Sequence, residues 1–211
     1  ILYPLSISHI IMDYIIIIQA FWIIIPAYIA NASALLVGGG TPIDFGKTWK
    51  DGKRILGDGK TWQGLFAGAF IGMTAGFGLS AVAKYATTIQ FPIPLTDFTG
   101  FPLMIPIIFS LCFGALLGDI LESFFKRRAG KKRGQDWIPF DQIDFILGVL
   151  LFSYLMSTAL YIFGLTNTNW FMKHLTINHV FILLIVTPFI HLFSNFIHRL
   201  SKKSVQQKQN I

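Results

Sequence analysis

Five apolar runs account for most of this chain, and each is long enough to cross a lipid bilayer as a helix. A bilayer core of roughly 30 Å requires about 20 helical residues, since each residue adds ~1.5 Å of length. Only 13% of the residues are charged, which is too few to cover the surface of a soluble protein. We therefore predict an all-α, polytopic membrane protein that forms a single domain over residues 1–211, with five transmembrane helices at about 9–30, 64–86, 101–125, 141–163 and 177–198.

Basic residues in the connecting segments predict the orientation of these helices. The segments at about 31–63 and 126–140 are rich in lysine and arginine. The segments at about 87–100 and 164–176 have one lysine or arginine between them, Lys173. Because basic loops stay on the cytoplasmic side of a membrane, both basic segments should be cytoplasmic. We expect a multi-pass protein of the cell membrane with its N-terminus outside and its C-terminus in the cytoplasm.

The net charge of +7 restricts the possible partners. A basic protein can bind nucleic acid, anionic lipid headgroups or an anionic substrate. In a chain this apolar the last two are favoured, and we expect no nucleic-acid partner. The single cysteine, Cys112, lies inside an apolar run and excludes an internal disulfide bond. The oligomeric state does not follow from the sequence.

The acidic residues lie mostly in or beside the two basic segments, and the orientation rule for basic loops does not explain why. At the end of the third helix Asp119, Glu122, Ser123 and Lys126 share one face, because they are spaced by three or four residues. An ion pair between Glu122 and Lys126 accounts for two of these charges. It leaves Asp119, a turn deeper in the membrane, without a partner. Charges at such depth usually face a protein interior or a wet cavity.

Two more acids, Asp141 and Asp144, open the fourth helix. An aspartate at a helix N-terminus is often only a cap that the helix dipole favours. The short segment 126–140, however, returns these two residues to the membrane face that carries Asp119 and Glu122. Four convergent carboxylates suit Mg²⁺, which takes hard oxygen ligands and often shares them with substrate phosphates. The sequence therefore predicts a magnesium site at these four residues.

The other cytoplasmic segment, 31–63, is rich in glycine and lysine. Its glycine triplet at 38–40 can present backbone N–H groups to an anion, and its basic side chains can neutralise phosphates. The spacing of a P-loop is absent, and a flexible turn is the ordinary alternative for three glycines. A polar face near the end of the fifth run, better explained by helix contacts than by substrate binding, consists of His191, Asn195 and His198.

Together these segments resemble the phosphatidate cytidylyltransferases, or CDP-diacylglycerol synthases. The strings 123–127 (SFFKR) and 141–144 (DQID) are similar to that family's signature, and Asp119 and Glu122 fit the D-x-x-E that precedes it. The strings 38–44 (GGGTPID), 51–54 (DGKR) and 57–61 (GDGKT) resemble more closely the archaeal branch, the CDP-archaeol synthases. Two departures from the wider signature also fit that branch: Gln142 replaces an arginine, and residues 137–139 replace His-Gly-Gly.

The resemblance implies a reaction and a set of site residues. CTP and an isoprenoid ether-lipid phosphate, di-geranylgeranylglyceryl phosphate, would give CDP-archaeol (unsaturated) and pyrophosphate in archaeal phospholipid biosynthesis, with Mg²⁺ as cofactor. The catalytic residues would be Asp119, Glu122, Lys126, Arg127, Asp141 and Asp144. The nucleotide-binding residues would be Gly38, Gly39, Gly40, Thr41, Pro42, Asp44, Lys47, Asp51, Lys53, Arg54, Asp58 and Lys60.

Two other classes of function are compatible with a polytopic membrane protein. A transporter or channel usually binds its substrate or ion near the middle of the bilayer, often at broken helices. The charges of this chain cluster instead at the cytoplasmic helix ends, which favours the enzyme. A scaffold that binds anionic lipid would explain the bases but not the acids. The glycines at 64, 68, 72 and 76 permit a groove for a lipid chain, although tight helix packing is the favoured reading.

Overall fold

The computed structural model describes residues 7–132, 135, 137 and 140–189, with side chains from Tyr14 onward. Within these residues the protein is all-helical, and two isolated β-bridges between the first two helices are its only extended pairings. Four of the described helices are long and apolar enough to cross a membrane. The helices are α1 (Ile7–Val37), α2 (Trp62–Thr88), α3 (Met104–Arg128), α4 (Phe140–Ile162), α5 (Trp170–His174) and α6, described over Ile177–Phe189.

The first four predicted spans are confirmed as helices, with differences at their ends. Helix α1 continues to Val37, beyond the predicted end at residue 30, because residues 31–37 contain no helix breaker and the glycine triplet follows them. The short helix α5 is not predicted, since five residues are too few for a periodic pattern. The end of the fifth predicted span lies outside the described residues, as do His191, Asn195 and His198.

Glycines on α2 explain how closely the first two helices approach each other. Gly64, Gly68 and Gly72 all face α1. A Cβ atom added at Gly72 would lie 2.7 Å from the carbonyl oxygen of Pro26, a distance that real atoms do not adopt. Gly76, the next in the line, faces the side chain of Ile108 on α3. These glycines therefore serve close helix packing.

Helices α3 and α4 make a similar backbone contact. At Gly148 an added Cβ atom would lie 2.2 Å from the carbonyl oxygen of Gly114, and at Gly118 it would lie 2.4 Å from the carbonyl oxygen of Asp144. A side chain at either glycine would separate the helices. The contact at Gly118 places Asp144 beside the part of α3 that carries Asp119.

The segment between α1 and α2 folds around the buried carboxylate of Asp44. That carboxylate accepts hydrogen bonds from Arg54 (2.8 and 3.2 Å) and from the backbone N–H groups of Gly46 (3.1 Å), Leu56 (2.9 Å) and Gly57 (2.9 Å). Burial by itself raises the pKa of this carboxyl, but the hydrogen bonds outweigh burial and hold the pKa well below its ordinary value. A permanently ionised Asp44 therefore fixes the shape of the segment.

We predict that Gly72→Ala destabilises the protein, because the added methyl group would collide with the backbone of α1 and overpacking costs roughly 1–3 kcal/mol. The matched control is Gly78→Ala on the same helix, where nothing lies within 4 Å of the added atom. There the better helix propensity of alanine should stabilise by up to about 1 kcal/mol. Thermal unfolding in detergent measures both effects. An unchanged midpoint for Gly72→Ala would contradict the close packing of α1 against α2.

Candidate active site

Three carboxylates from two helices meet near the backbone contact between α3 and α4. Ligand oxygens of Asp119, Glu122 and Asp144 lie within 4.8 Å of one another. Asp119 and Glu122 stand about one turn apart on the same face of α3, and the contact at Gly118 brings Asp144 to them. Glu122 is buried, and the other two are half-buried. Like charges this close repel one another, so the cluster requires positive charge beside it.

Two lysines supply part of that charge. Lys60, just before α2, donates a hydrogen bond to Asp119. Lys126, one turn beyond Glu122 on α3, lies 3.6 Å from that residue and donates to Asp141 at 2.5 Å. Of the four predicted metal ligands, three converge, while Asp141 pairs with Lys126 and also interacts with the side chain of Glu122.

These three carboxylates and that of Asp141 line a cavity of about 210 Å³ between α3, α4 and the segment before α2. Lys60, Lys126 and Arg127 line the same cavity. A second cavity of about 390 Å³ shares Lys60 and Asp119 and extends along α1 to Asn31. A position beside Asp119 is therefore open to two connected spaces.

A groove of about 410 Å³ runs between α3 and α4 and reaches the cluster from another side. Its walls are apolar, and several of its side chains are among the most exposed hydrophobic residues of these helices, including Leu121, Phe125 and Leu147. Glu122 and Asp144 are the two acids among the described residues that line it. The groove therefore joins a lipid-facing surface to the carboxylates.

The carboxylate cluster fits a divalent cation. Its ligand atoms are hard oxygens, the class that Mg²⁺ prefers. Glu122 Oε1 is buried, lies 3.6 Å from Lys126 Nζ and accepts no hydrogen bond from any described residue, whereas buried carboxylate oxygens normally accept one. A cation held by Asp119, Glu122 and Asp144 would provide that partner and offset the repulsion among the three charges.

The residues predicted to bind nucleotide do not all reach this cavity. Among them Lys60 lines it. The side chain of Asp44 is enclosed within its own segment, and Arg54 divides its contacts between Asp44 and Asp58, which it meets at 2.7 Å. Lys47 is exposed. Most of this set therefore orders the segment that carries Lys60.

The glycine triplet lies where α1 ends, and one of its backbone N–H groups already donates a hydrogen bond within the protein. The N–H of Gly39 donates to Thr61 Oγ1 at 3.2 Å, so one of the predicted anion-binding groups is in use. Thr61 also caps α2 by accepting from the N–H of Gly64, a role that the sequence pattern did not single out. Gly38 and Gly40 flank Gly39 in the predicted string 38–42. The last two residues of that string, Thr41 and Pro42, pair through the backbone with residues 60–62.

Two arginines at the end of α3 hold this segment against the helix. Arg127 Nε donates to the carbonyl oxygen of Leu56 at 3.2 Å. Arg128 pairs with Asp51 at 3.2 Å and donates to the carbonyl oxygen of Lys53, also at 3.2 Å. Lys53 returns a hydrogen bond to the carbonyl oxygen of Arg128 at 3.0 Å. The sequence pattern singles out Arg127 but not Arg128, because a run of basic residues does not reveal which members make contacts.

Comparisons with known proteins point to one family. A family model described as CarS-like, CDP-archaeol synthase, matches residues 12–207. The chain belongs to the CDP-archaeol synthase family. The CDP-archaeol synthase of Thermococcus kodakarensis is 42% identical over 88% of this chain and 94% of the relative. That of Methanococcoides burtonii is 43% identical over 82% of this chain and 93% of the relative.

A solved structure supports the same family. It is described as an intramembrane enzyme for archaeal membrane lipid biosynthesis, and it is 33% identical to this chain with a TM-score of 0.62. The match covers 85% of this chain and 94% of that one. Membership of the CDP-archaeol synthase family favours the enzyme over the transporter, channel or scaffold as the function of this protein.

We predict that Asp144→Asn weakens Mn²⁺ binding by at least about tenfold, because a neutral amide replaces one of three carboxylate ligands. Titration of Mn²⁺, followed by electron paramagnetic resonance, measures the affinity. In EDTA the same variant should unfold at no lower temperature than the unaltered protein, since one of three neighbouring like charges is gone.

Asp97→Asn, the same chemical change at the other end of the bundle, serves as the control and should leave Mn²⁺ affinity unchanged. Equal losses in the two variants, or no loss in Asp144→Asn, would contradict a metal site at the cluster.

Proposed function

We propose that this protein transfers the cytidylyl group of CTP to an isoprenoid ether-lipid phosphate, di-geranylgeranylglyceryl phosphate, and yields CDP-archaeol (unsaturated) and pyrophosphate. One observation carries the proposal beyond family membership: three carboxylates and two lysines converge where a polar cavity meets an apolar groove. A reaction between a water-soluble triphosphate and a lipid phosphate requires such a meeting point.

In the proposed reaction an oxygen of the lipid phosphate attacks the α-phosphorus of CTP. A new P–O bond forms, the bond from that phosphorus to the oxygen bridging to the β-phosphorus breaks, and pyrophosphate leaves. No covalent enzyme intermediate is needed, so the protein contributes positioning and neutralisation of charge. Mg²⁺ bound at Asp119, Glu122 and Asp144 would supply positive charge to the reacting phosphate oxygens.

The basic residues of the cavity take complementary roles in this proposal. Lys60, which now contacts Asp119, is available to bind a phosphate of CTP when a cation takes its place beside the carboxylate. Lys126 lies within the cavity near Glu122 and binds the lipid phosphate or the triphosphate together with Arg127. Asp141 holds Lys126 in position through their short hydrogen bond.

The apolar groove between α3 and α4 is the proposed site of the lipid chains. Its exposed side chains open toward the bilayer, and Glu122 and Asp144 mark the end at which a lipid phosphate would meet the cluster. The second cavity, beside Lys60 and Asp119, has room for the nucleoside part of CTP. The two substrates would then approach the carboxylates from different sides.

The proposed orientation places this site at the cytoplasmic face, where CTP is available. The acidic cluster lies at the same end of the bundle as the basic segments, with Lys60, Lys126 and Arg127 around it. Basic segments favour the cytoplasmic side of a membrane. The opposite end of the bundle would then face outward.

The activity is tested with purified protein, labelled CTP, Mg²⁺ and the ether-lipid phosphate, followed by lipid extraction. We expect a labelled CDP-lipid and an equal amount of pyrophosphate. Replacement of Mg²⁺ by EDTA should abolish the product. If no labelled lipid forms with this acceptor or with phosphatidate, the cytidylyltransferase proposal is wrong.

The groove is tested by filling it. We predict that Leu147→Trp raises the KM for the lipid phosphate about tenfold or more while the KM for CTP stays within about twofold, because a lost apolar contact surface of one side chain is worth ~1.5–3 kcal/mol. Leu155→Trp is the matched control, since Leu155 is equally exposed on α4 but does not line the groove. Equal kinetics in the two variants would place the lipid elsewhere.

Orientation is tested by labelling single cysteines in intact cells with a membrane-impermeant maleimide. Gln135→Cys and Asn167→Cys introduce thiols at two exposed positions on opposite ends of the bundle, while the native Cys112 is fully buried. We expect label at position 167 in intact cells, and at position 135 only after the membrane is opened. The reverse pattern would invert the proposed topology.

A further inference from the structure

A polar cavity lies at the end of the bundle opposite the acidic cluster. Its volume is about 480 Å³, and it is formed by the end of α2, the segment between α2 and α3, and the region of α5. A smaller cavity of about 80 Å³ shares Thr96, Lys173 and His174 with it and extends to His179. Among the described residues, neither cavity shares a lining residue with the cavities around the carboxylates, so the proposed reaction does not use them.

Hydrogen bonds and aromatic packing fix the position of the segment that carries Thr96 and lines this cavity. Thr96 accepts hydrogen bonds from two indole N–H groups, that of Trp22 at its carbonyl oxygen (2.9 Å) and that of Trp170 at its hydroxyl (3.2 Å). Phe98 is fully buried and stacks on Trp170. Phe98 and Thr99 have φ values of +58° and +76°, which cost energy in residues other than glycine and persist only where the surroundings impose them. The cavity is therefore preformed.

Two lysines give the cavity an excess of positive charge. Lys84 and Lys173 both line it, and neither forms an ion pair with a described residue. Asp97 is the one carboxylate among the described residues of its lining. Burial and the neighbouring Lys173 lower the pKa of His174 to about 4, so that ring is neutral at physiological pH. An anion in the cavity would offset the remaining positive charge.

A buried histidine nitrogen at the end of the smaller cavity also has no hydrogen-bond partner among the described residues. His179 is only 6% exposed, and its Nδ1 lies 2.7 Å from Thr176 Oγ1. Its Nε2 makes no hydrogen bond to any described residue. When Thr176 donates to Nδ1, Nε2 carries the hydrogen and is an unused donor. Buried donors normally have an acceptor, and an anion that reaches into the smaller cavity would supply one.

The segments that form the cavity also carry exposed apolar side chains. Phe91 and Phe101 from the segment between α2 and α3, and Met172 from α5, are 45%, 73% and 66% exposed. Exposed aromatic side chains at helix ends are typical of the layer of lipid headgroups. We propose that the cavity binds the phosphate group of a membrane lipid, with Lys84, Lys173 and His179 as its polar contacts.

Hydrogen–deuterium exchange of residues 92–100 and 166–176 tests the proposal in the purified full-length protein in neutral detergent. Three probes are compared: dioleoylphosphatidylglycerol, dioleoylglycerol with the same chains but no phosphate, and inorganic phosphate. We expect only the phospholipid to slow exchange in these two segments. In the double variant Lys84→Gln, Lys173→Gln its affinity should fall roughly tenfold or more, because charged hydrogen bonds to the phosphate are lost.

The control variant is Lys50→Gln, which makes one such substitution at an exposed lysine at the other end of the protein and should retain full protection. Matching thermal unfolding midpoints for the control and the double variant show that lost protection is not lost folding. Protection by inorganic phosphate alone would overturn the lipid as the source of the anion. Equal protection by dioleoylglycerol, or full protection in the double variant, would overturn phosphate recognition altogether.

Discussion

The direct backbone contact between α3 and α4 is the constraint on which the candidate site depends. Glycines at 114, 118 and 148 let the two helices touch without intervening side chains. Because Gly118 meets the backbone of Asp144, a carboxylate of α4 comes to lie beside two carboxylates of α3. A larger residue at Gly118 would push Asp144 away from α3 and separate its carboxylate from those of Asp119 and Glu122. The glycines that allow this close helix packing therefore also bring the three carboxylates together.

Charge balance explains why this cluster is stable beside a membrane. Buried charges are costly unless they are paired, and Lys60 and Lys126 each contact one acid of the group. Glu122 Oε1 remains without a hydrogen bond among the described residues, which is the property expected of a metal ligand. In the structure lysines face the carboxylates, and in the proposed reaction Mg²⁺ and phosphate groups would lie between them.

The segment between α1 and α2 reaches this site as a folded unit. Asp44 ties its turns together from inside, while Arg127 and Arg128 fasten it to the end of α3. Residues of one sequence motif can therefore have different partners in the structure. Of the string 57–61, Asp58 pairs with Arg54, whereas Lys60 reaches the carboxylates. Local sequence similarity cannot distinguish the two tasks, because both need charged side chains in a glycine-rich segment.

The sequence by itself determined the four long apolar helices, the resemblance to a family, and the end of the bundle at which acids and bases gather. These follow from hydropathy, helical spacing and the order of charges along the chain. It did not determine that Asp141 would pair with Lys126 while Asp119, Glu122 and Asp144 converge, nor that Arg128 would hold the neighbouring segment. Those partnerships depend on how far apart the helices lie and how each is rotated. Contacts between residues distant in the chain fix both quantities, so only the tertiary structure decided them.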